Sequence, residues 1–152
     1  MKTTIISTAL LAAASTTLAA PSTANFKRAL QSLELKNFWG NLYSQELPTS
    51  YNIGFALNDP NTNVNTDCDA FWSQGQAGSL MFNCSNPAYQ IGFPSGIYNI
   101  EDFVLRVSRA DGTEAGQNTV SGDDWQCTKH DGYPEETCEW VGVFNINLSA
   151  SS

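Results

Sequence analysis

Four cysteines, at positions 68, 84, 127 and 138, constrain the fold of this 152-residue chain more than any other feature of its sequence. Four cysteines allow three disulfide pairings. The sequential pairing, Cys68 with Cys84 and Cys127 with Cys138, closes two short loops of the size that β-hairpins and their connections make. Each bond is worth about 3 kcal/mol on the loop-entropy estimate. Zinc is the competing use of four cysteines, but the chain has no C-x-x-C pair, and we expect no metal and no cofactor.

Residues 1–19 have the composition of a secretory signal peptide. Lys2 supplies the positive charge, Ile5 to Ala14 form an apolar run too short to span a bilayer, and Ala19 ends a small-residue cleavage site. We therefore expect secretion to the extracellular medium, where disulfides form. No later stretch approaches eighteen apolar residues, so the sequence predicts no transmembrane segment.

The rest of the chain divides into a short leader and one domain. Residues 20–28 are rich in Ser, Thr and Asn, and we expect them to be disordered. They end in Lys27-Arg28, a dibasic pair that makes the leader a candidate propeptide. Residues 29–152 are expected to form a single β-barrel domain.

The charge of the chain argues against an anionic partner. Removal of residues 1–19 leaves 6 basic residues against 15 acidic ones, a net charge of −9. This charge repels phosphate backbones and anionic lipid surfaces, and the sequence contains no basic stripe. We expect no nucleic acid as a partner.

Short alternating segments predict an all-β fold, either a small antiparallel β-barrel or a sandwich with two disulfides. Residues 51–57 place Tyr51, Ile53, Phe55 and Leu57 on one face, and the segment from Phe103 to Val107 alternates equally well. A strand also opens at Phe38-Trp39, after a segment that could begin as a helical turn. The further strand candidates are residues 80–84, 89–93, 98–108, 125–128 and 139–148.

Residues 58–66 are predicted to be a long surface loop, because Asn, Asp, Thr and Pro dominate them. The order Asp59, Asn61, Asn63 resembles the start of a calcium loop. That interpretation fails, because Val64 stands where the loop needs Gly and Ala70 where it needs Glu.

The sequence offers little catalytic chemistry, and we predict that the protein is not an enzyme. His130 is the one histidine and lies next to Asp-Gly, as in a solvated turn. The acidic residues come as neighbours, as in Glu101-Asp102 and Glu135-Glu136, which indicates surface or turn positions. A pair of carboxylates facing each other from different strands, as glycoside hydrolysis requires, remains an open alternative.

Aromatic residues exceed what the evident inner faces need, so some of them are candidates for a binding patch. Phe71-Trp72 is the best candidate for an exposed partner-binding pair, since it lies in a polar segment just after Cys68. The alternative is that these rings fill the interior of a small domain. The surplus aromatic residues are Trp39, Tyr43, Tyr51, Phe71, Trp72, Tyr89, Tyr98 and Trp125.

Two sequons are candidate N-glycosylation sites, Asn83-Cys84-Ser85 and Asn147-Leu148-Ser149. We expect Asn147 to be the better acceptor, because it lies on the polar face of its segment. Asn83 precedes a bonded cysteine within a strand.

The order and spacing of these features resemble the fungal Alternaria alternata major allergen family, whose relatives include secreted elicitors of the plant hypersensitive response. The residues that carry the resemblance are Phe38-Trp39-Gly40, the strand from Tyr51 to Phe55, the four cysteines and the closing strand from Val141 to Leu148. It implies a compact β-barrel, the sequential disulfide pairing and a role in the interaction of fungus and host. The allergen dimerises through a further cysteine, which this chain lacks, so we expect no covalent dimer.

From these features we expect a secreted effector, elicitor or allergen-like glycoprotein that binds a host extracellular or surface protein. The alternative is a carrier of a small apolar or aromatic ligand. An extracellular hydrolase is the third and least favoured class.

Overall fold

The computed structural model describes residues 29–45, 48–74 and 80–150, and every regular element in them is a β-strand. The expected signal peptide and leader, residues 1–28, lie outside the described residues. The described strands, in chain order, are β1 (Leu33–Tyr43), β2 (Ser50–Asp59), β3 (Val64–Ser73), β4 (Met81–Asn83), β5 (Tyr89–Gly92), β6 (Phe103–Arg109), β7 (Glu114–Val120), β8 (Trp125–Lys129), β9 (Glu136–Trp140), β10 (Phe144–Ile146) and β11 (Leu148–Ala150).

The strands form two antiparallel sheets. Sheet I has the order β3-β2-β1-β9-β8, with β10 also paired to β1, and sheet II has the order β11-β7-β6-β5-β4. Neither sheet closes on itself, so the sandwich, not the barrel, is the correct alternative of the expected all-β fold. The barrel that the resemblance implies is therefore not formed.

The inner faces lie where the alternation placed them. Ile53, Phe55 and Leu57 of sheet I are buried, and so are Phe103 and Leu105 of sheet II. Phe38 joins the two layers, because its ring lies 5.3 Å from that of Phe55 and 6.5 Å from that of Phe103, measured between centroids. The side chains of both sheets thus pack into one core.

The prediction of a long surface loop over residues 58–66 is wrong. Strands β2 and β3 form a hairpin whose connection is residues 60–63. The Asp59 carboxylate closes this turn by accepting hydrogen bonds from the Asn61 amide at 2.8 Å and the Thr62 hydroxyl at 2.9 Å. The Asn, Asp and Thr side chains do favour a turn, but they form a tight hairpin turn instead of a long loop.

Two strands have no counterpart among the predicted ones, and one predicted strand is divided. Strand β3 alternates small or buried residues with acids, and β7 buries only Val120 at its end, so neither shows an apolar period of two. The predicted strand over residues 139–148 is interrupted at Gly142, whose φ of 88° turns the chain. The predicted helical turn before Phe38 is part of β1.

A β-bulge in β1 determines which side chains face outward from sheet I. Pairing with β2 shifts register between Lys36 and Trp39, and Asn37 within this bulge has a φ of 51°. Leu35 points inward before the bulge and Phe38 after it. Trp39, which follows, therefore points away from the core.

Both sequential disulfides are confirmed, at S–S distances of 2.01 Å for Cys68–Cys84 and 2.03 Å for Cys127–Cys138. Cys127 and Cys138 are directly opposite each other on β8 and β9 within sheet I. Cys68 lies on β3 of sheet I, whereas Cys84 directly follows β4 of sheet II. The Cys68–Cys84 bond therefore joins the two sheets.

The chain also passes from one sheet to the other at Asn147. This residue alone separates β10, which pairs with β1, from β11, which pairs with β7. Gly116 of β7 lies against the crossing, where a Cβ atom would collide with the backbone oxygen of Asn147 and the side chain of Ile146. We call Ile146, Asn147 and Leu148 the crossing segment.

Candidate functional site: the outer face of sheet I

The prediction that Phe71 and Trp72 are both exposed is correct for Phe71 and wrong for Trp72. Phe71 is 60% exposed, but Trp72 is 1% exposed and stacks on Tyr51 with a centroid distance of 5.5 Å. Adjacent residues in a strand point to opposite faces, so the two rings cannot both be exposed here. Trp72 is a core residue and is removed from the candidate site, whereas Phe71 lies on the outer face of sheet I.

A second aromatic residue, Trp39, lies on that outer face near its centre. It is directly opposite Gly54 on β2 and Glu139 on β9. A Cβ atom at Gly54 would lie 2.5 Å from Cζ2 and 2.8 Å from Cε2 of the indole. The indole therefore reaches across the sheet over β2, and only glycine leaves room for it there. Trp39 is one of the surplus aromatic residues of the sequence, but no local pattern predicts its place at the centre of this face.

Trp39 belongs to a row of directly opposite residues that crosses the sheet. The row continues from Gly54 to Asp69 on β3, and from Glu139 to Gln126 on β8. Directly opposite residues share one face of a sheet, so all these side chains point to solvent together. The next row on the same face contains Phe71, Asn52, Asn41, Thr137 and Thr128.

Three depressions lie along this face, each sharing lining residues with the next, and we call this series the cross-strand groove. The first, of about 370 Å³, extends from Trp39 to Asp67 and Asp69. The second, of about 440 Å³, shares Trp39 and reaches Glu139. The third, of about 390 Å³, shares Glu139 and ends at His130. The groove thus runs across the strands, from β3 to the connection between β8 and β9.

Sheet II carries a separate apolar cleft of about 310 Å³. Leu80, Met81, Phe93 and Pro94 line it, with Arg106 beside them. Its lining suits a small apolar ligand. The cleft lies on the outer surface, while the space between the sheets is occupied by core side chains.

One of the acidic neighbours is buried. Glu136 is 4% exposed, and its Oε1 atom has no hydrogen-bond partner. Burial raises the pKa of the Glu136 carboxyl above its ordinary value of 4.5, and the neighbouring Glu101 carboxyl raises it further. Lys129 Nζ lies 3.6 Å from Glu101 Oε1. Glu101 and Glu136, each from a different acidic doublet, thus form a carboxyl pair. The prediction that the doublets lie at surface or turn positions did not include this pair.

The remaining acids of interest have structural partners. The Glu135 carboxylate accepts hydrogen bonds from the backbone amides of Ser44 at 2.7 Å and Gln45 at 3.1 Å. Asp59 is buried and accepts a hydrogen bond from the Tyr89 hydroxyl at 2.7 Å. Burial would raise the Asp59 pKa, but the hydrogen bonds from Tyr89, Asn61 and Thr62 outweigh it and lower the pKa.

Metal-binding residues do not converge on the groove in the described part of the chain. The one cluster of candidate metal ligands there is Cys127, Glu136 and Cys138, and its two sulfurs are bonded to each other. The disulfide leaves neither sulfur as a thiolate ligand. His130 is exposed at the end of the groove, where its backbone amide donates to the Glu135 carbonyl at 2.8 Å.

Both candidate glycosylation sites are exposed. Asn83 accepts a hydrogen bond from Gln90 Nε2 at 3.0 Å, and Asn147 accepts one from the Ser32 hydroxyl at 2.6 Å. Neither side chain is blocked by burial, so the preference for Asn147 stays a prediction.

Comparison of the chain with protein-family models, curated proteins and solved structures finds no match. A search of the described residues for a helix long and apolar enough to cross a membrane also finds none.

Proposed function

We propose that the protein is a secreted, non-catalytic binding protein of the effector or elicitor type, and that it engages a host extracellular component through the cross-strand groove. The observation that carries the proposal is the seating of Trp39 over Gly54 on a solvent-facing sheet. A large aromatic ring on an outer face, with polar side chains around it, is typical of a recognition surface. The secretory sequence features and the two disulfides support an extracellular role.

The arrangement of the carboxylates in the groove favours binding over hydrolysis. Asp67 and Asp69 lie side by side on one strand and point the same way, so they do not face each other from different strands. Asp69 and Glu139 are in the same row but three strand spacings apart, which is roughly 14 Å. Carboxylate pairs that hydrolyse glycosides lie about 5–9.5 Å apart. All four cysteines are in disulfides, so none is a free nucleophile.

The proposal is tested by the response of leaf tissue to infiltrated protein. We expect Trp39→Ala to lose the response while its melting temperature stays within a few degrees of wild type, because the ring lies outside the core. Tyr98→Ala is the matched control, since Tyr98 is 81% exposed on a loop away from the groove. A full response to the Trp39 variant, or an equal loss in the Tyr98 variant, would contradict the proposal.

The apolar cleft on sheet II favours a second candidate function, the transport of a small apolar or aromatic ligand. Its lining by Met81, Phe93 and Pro94 is the observation that supports it. Equilibrium dialysis against a fluorescent flavonoid separates the two candidates, because a protein that binds only through the groove has no saturable site for this probe in the cleft.

A further inference from the structure

The side chains that line the cross-strand groove require a ligand rich in hydrogen-bond donors. Asp67, Asp69 and Glu139 are exposed acids, and an ionised carboxylate accepts hydrogen bonds but donates none. Gln126 and Thr128 add groups that both donate and accept. A hydroxyl-rich ligand satisfies both sets, and hydroxyl groups that donate to carboxylates form strong, charge-assisted hydrogen bonds.

The charge of the groove excludes anionic ligands. None of the described residues that line it is Lys or Arg, and the chain as a whole has a net charge of −8. Phosphates, sulfates and uronates would be repelled. The three carboxylates are also spread over β3 and β9 instead of converging, which is unsuited to a metal ion. A neutral or a cationic ligand remains, and the two differ in how their binding depends on salt.

Trp39 adds an aromatic ring to this polar surface, so the ligand also needs an apolar face that can pack against the ring. Its indole reaches across the sheet to Gly54, and the ring lines the two depressions that meet at Trp39. The face of an aromatic ring carries partial negative charge and attracts the weakly positive hydrogens of C–H bonds. A pyranose ring combines such a C–H face with hydroxyl groups around its rim.

The direction of the groove argues against a peptide in it. Peptides that add to a sheet bind along an edge strand, where backbone N–H and C=O groups are free. The groove crosses β2, β1 and β9, which are interior strands of sheet I, so their backbone groups already pair with neighbours. Its lining also mixes acids, amides and hydroxyl groups with aromatic rings, Ala56 and Val141, unlike the continuous apolar grooves that hold amphipathic helices.

We infer that the ligand of the cross-strand groove is a neutral polysaccharide chain that lies across the strands, with one pyranose ring on Trp39 and with hydroxyl groups along the chain donating to Asp69 and Glu139. This inference rests on the proposed function of the groove. The groove spans five strands, or roughly 19 Å, which suits an oligosaccharide better than a single sugar. Phe71, one row away on the same face, offers a second ring to the same chain.

The test measures binding of cellohexaose, laminarihexaose, xylohexaose and chitohexaose to the full protein by calorimetry and by tryptophan fluorescence. We expect saturable binding of at least one hexaose, unchanged when sodium chloride is raised, because the ligand is neutral. Trp39→Ala should weaken that binding by about tenfold or more, and Trp39→Phe should weaken it less.

Two further sets of variants separate this site from a general loss of structure. Gly54→Ala keeps both the indole and the Asp69 carboxylate but displaces them, because its Cβ atom would lie 2.5 Å from Trp39 Cζ2 and 2.8 Å from Asp69 Oδ1, and it should weaken binding even if the Trp39 variants fold poorly. Asp69→Asn and Glu139→Gln should each weaken binding a few-fold. Asp111→Asn is the matched control, because Asp111 is an exposed acid in the turn between β6 and β7 of sheet II.

The inference is overturned if no hexaose binds saturably, or if the Trp39 and Gly54 variants bind as wild type does. Binding of cationic chitosan alone, abolished by salt, would also overturn it, since that result needs only the negative charge. These outcomes are distinct from failure of the proposed function. If Trp39→Ala loses the leaf response while no hexaose binds, the groove is functional but its ligand is a protein.

Discussion

At the scale of single residues, Asn37 determines which side chains of β1 face the core and which face solvent. As the extra residue of the β1 bulge, with a φ of 51°, it reverses the alternation of the strand. Phe38 then enters the core, where its ring lies 4.9 Å from that of Trp125. Trp39 leaves the core and reaches Gly54. One inserted residue thus supplies both a central core ring and the ring of the candidate site.

Phe71 and Trp72 are adjacent and aromatic, so they make a matched pair of substitutions. We expect Trp72→Ala to lower the free energy of unfolding by about 3–5 kcal/mol, because it removes a fully buried ring that contacts Tyr51 and Phe93. Phe71→Ala should change it by no more than about 0.5 kcal/mol, since the ring is on the surface. Urea denaturation of the two variants measures both values, and equal losses would contradict the placement of either ring.

At the scale of elements, β9 carries groups of opposite kinds on its two faces. Glu139 points to the groove, whereas Glu136 and Cys138 point inward and are buried. An ionisable group on the inner face links the stability of the strand to pH. Because the pKa of Glu136 is raised in the folded protein, the folded state holds its proton at pH values where the unfolded state has released it.

Stability should therefore fall as pH rises from the unfolded value of 4.5 through the higher folded pKa of Glu136. We expect Glu136→Gln to remove this fall and to be more stable than wild type above that range, because the side chain no longer has to ionise while buried. Glu139→Gln, an exposed substitution of the same kind on the same strand, is the matched control. Urea denaturation between about pH 4 and pH 8 tests this, and a variant with the slope of wild type would disprove it.

The strands that could be predicted from sequence are those with apolar residues at every second position. This pattern located the core faces of β2 and β6, and loop size together with the family resemblance predicted the pairing of both disulfides. It could not locate β3, whose inward residues Cys68, Ala70 and Trp72 are separated by acids and an exposed ring. It also could not show that Phe38 and Trp39 follow a bulge, because an apolar pair looks the same in either register.

The candidate site lay beyond sequence reasoning for a different reason. Its central row joins Asp69, Gly54, Trp39 and Glu139, which meet only through the register of three separate strand pairings. Nothing local marks Gly54 as the seat of an indole. Sequence could supply the surplus of aromatic residues and the exposed Phe71, but not the surface that they share.

At the scale of the whole molecule, the two disulfides differ in what they hold together. They close loops of similar length, with sequence separations of 16 and 11, so the entropy estimate gives each about 3 kcal/mol. Only Cys68–Cys84 joins the two sheets. Cys127–Cys138 ties together two strands that already pair with each other.

Replacing either pair by alanines should therefore lower the free energy of unfolding by about 3 kcal/mol, but with different effects on local opening. Loss of Cys68–Cys84 should speed amide hydrogen exchange in β4 and β5 as well as in β3, because sheet II loses its bond to sheet I. Loss of Cys127–Cys138 should speed exchange mainly in β8, the edge strand. Identical exchange patterns in the two variants would show that the sheets do not depend on the bond between them.

The crossing segment has a consequence for how the sandwich comes apart. Because Asn147 alone separates a strand of sheet I from a strand of sheet II, the sheets cannot move apart by much without first breaking the hydrogen bonds of β10 or β11. Because residue 116 is glycine, the crossing segment lies close against β7, and the connection between the two sheets has little spare length. A force that separates the two layers would therefore act on β10 and β11 at the ends that adjoin Asn147, and one of these short strands would have to detach before the layers part.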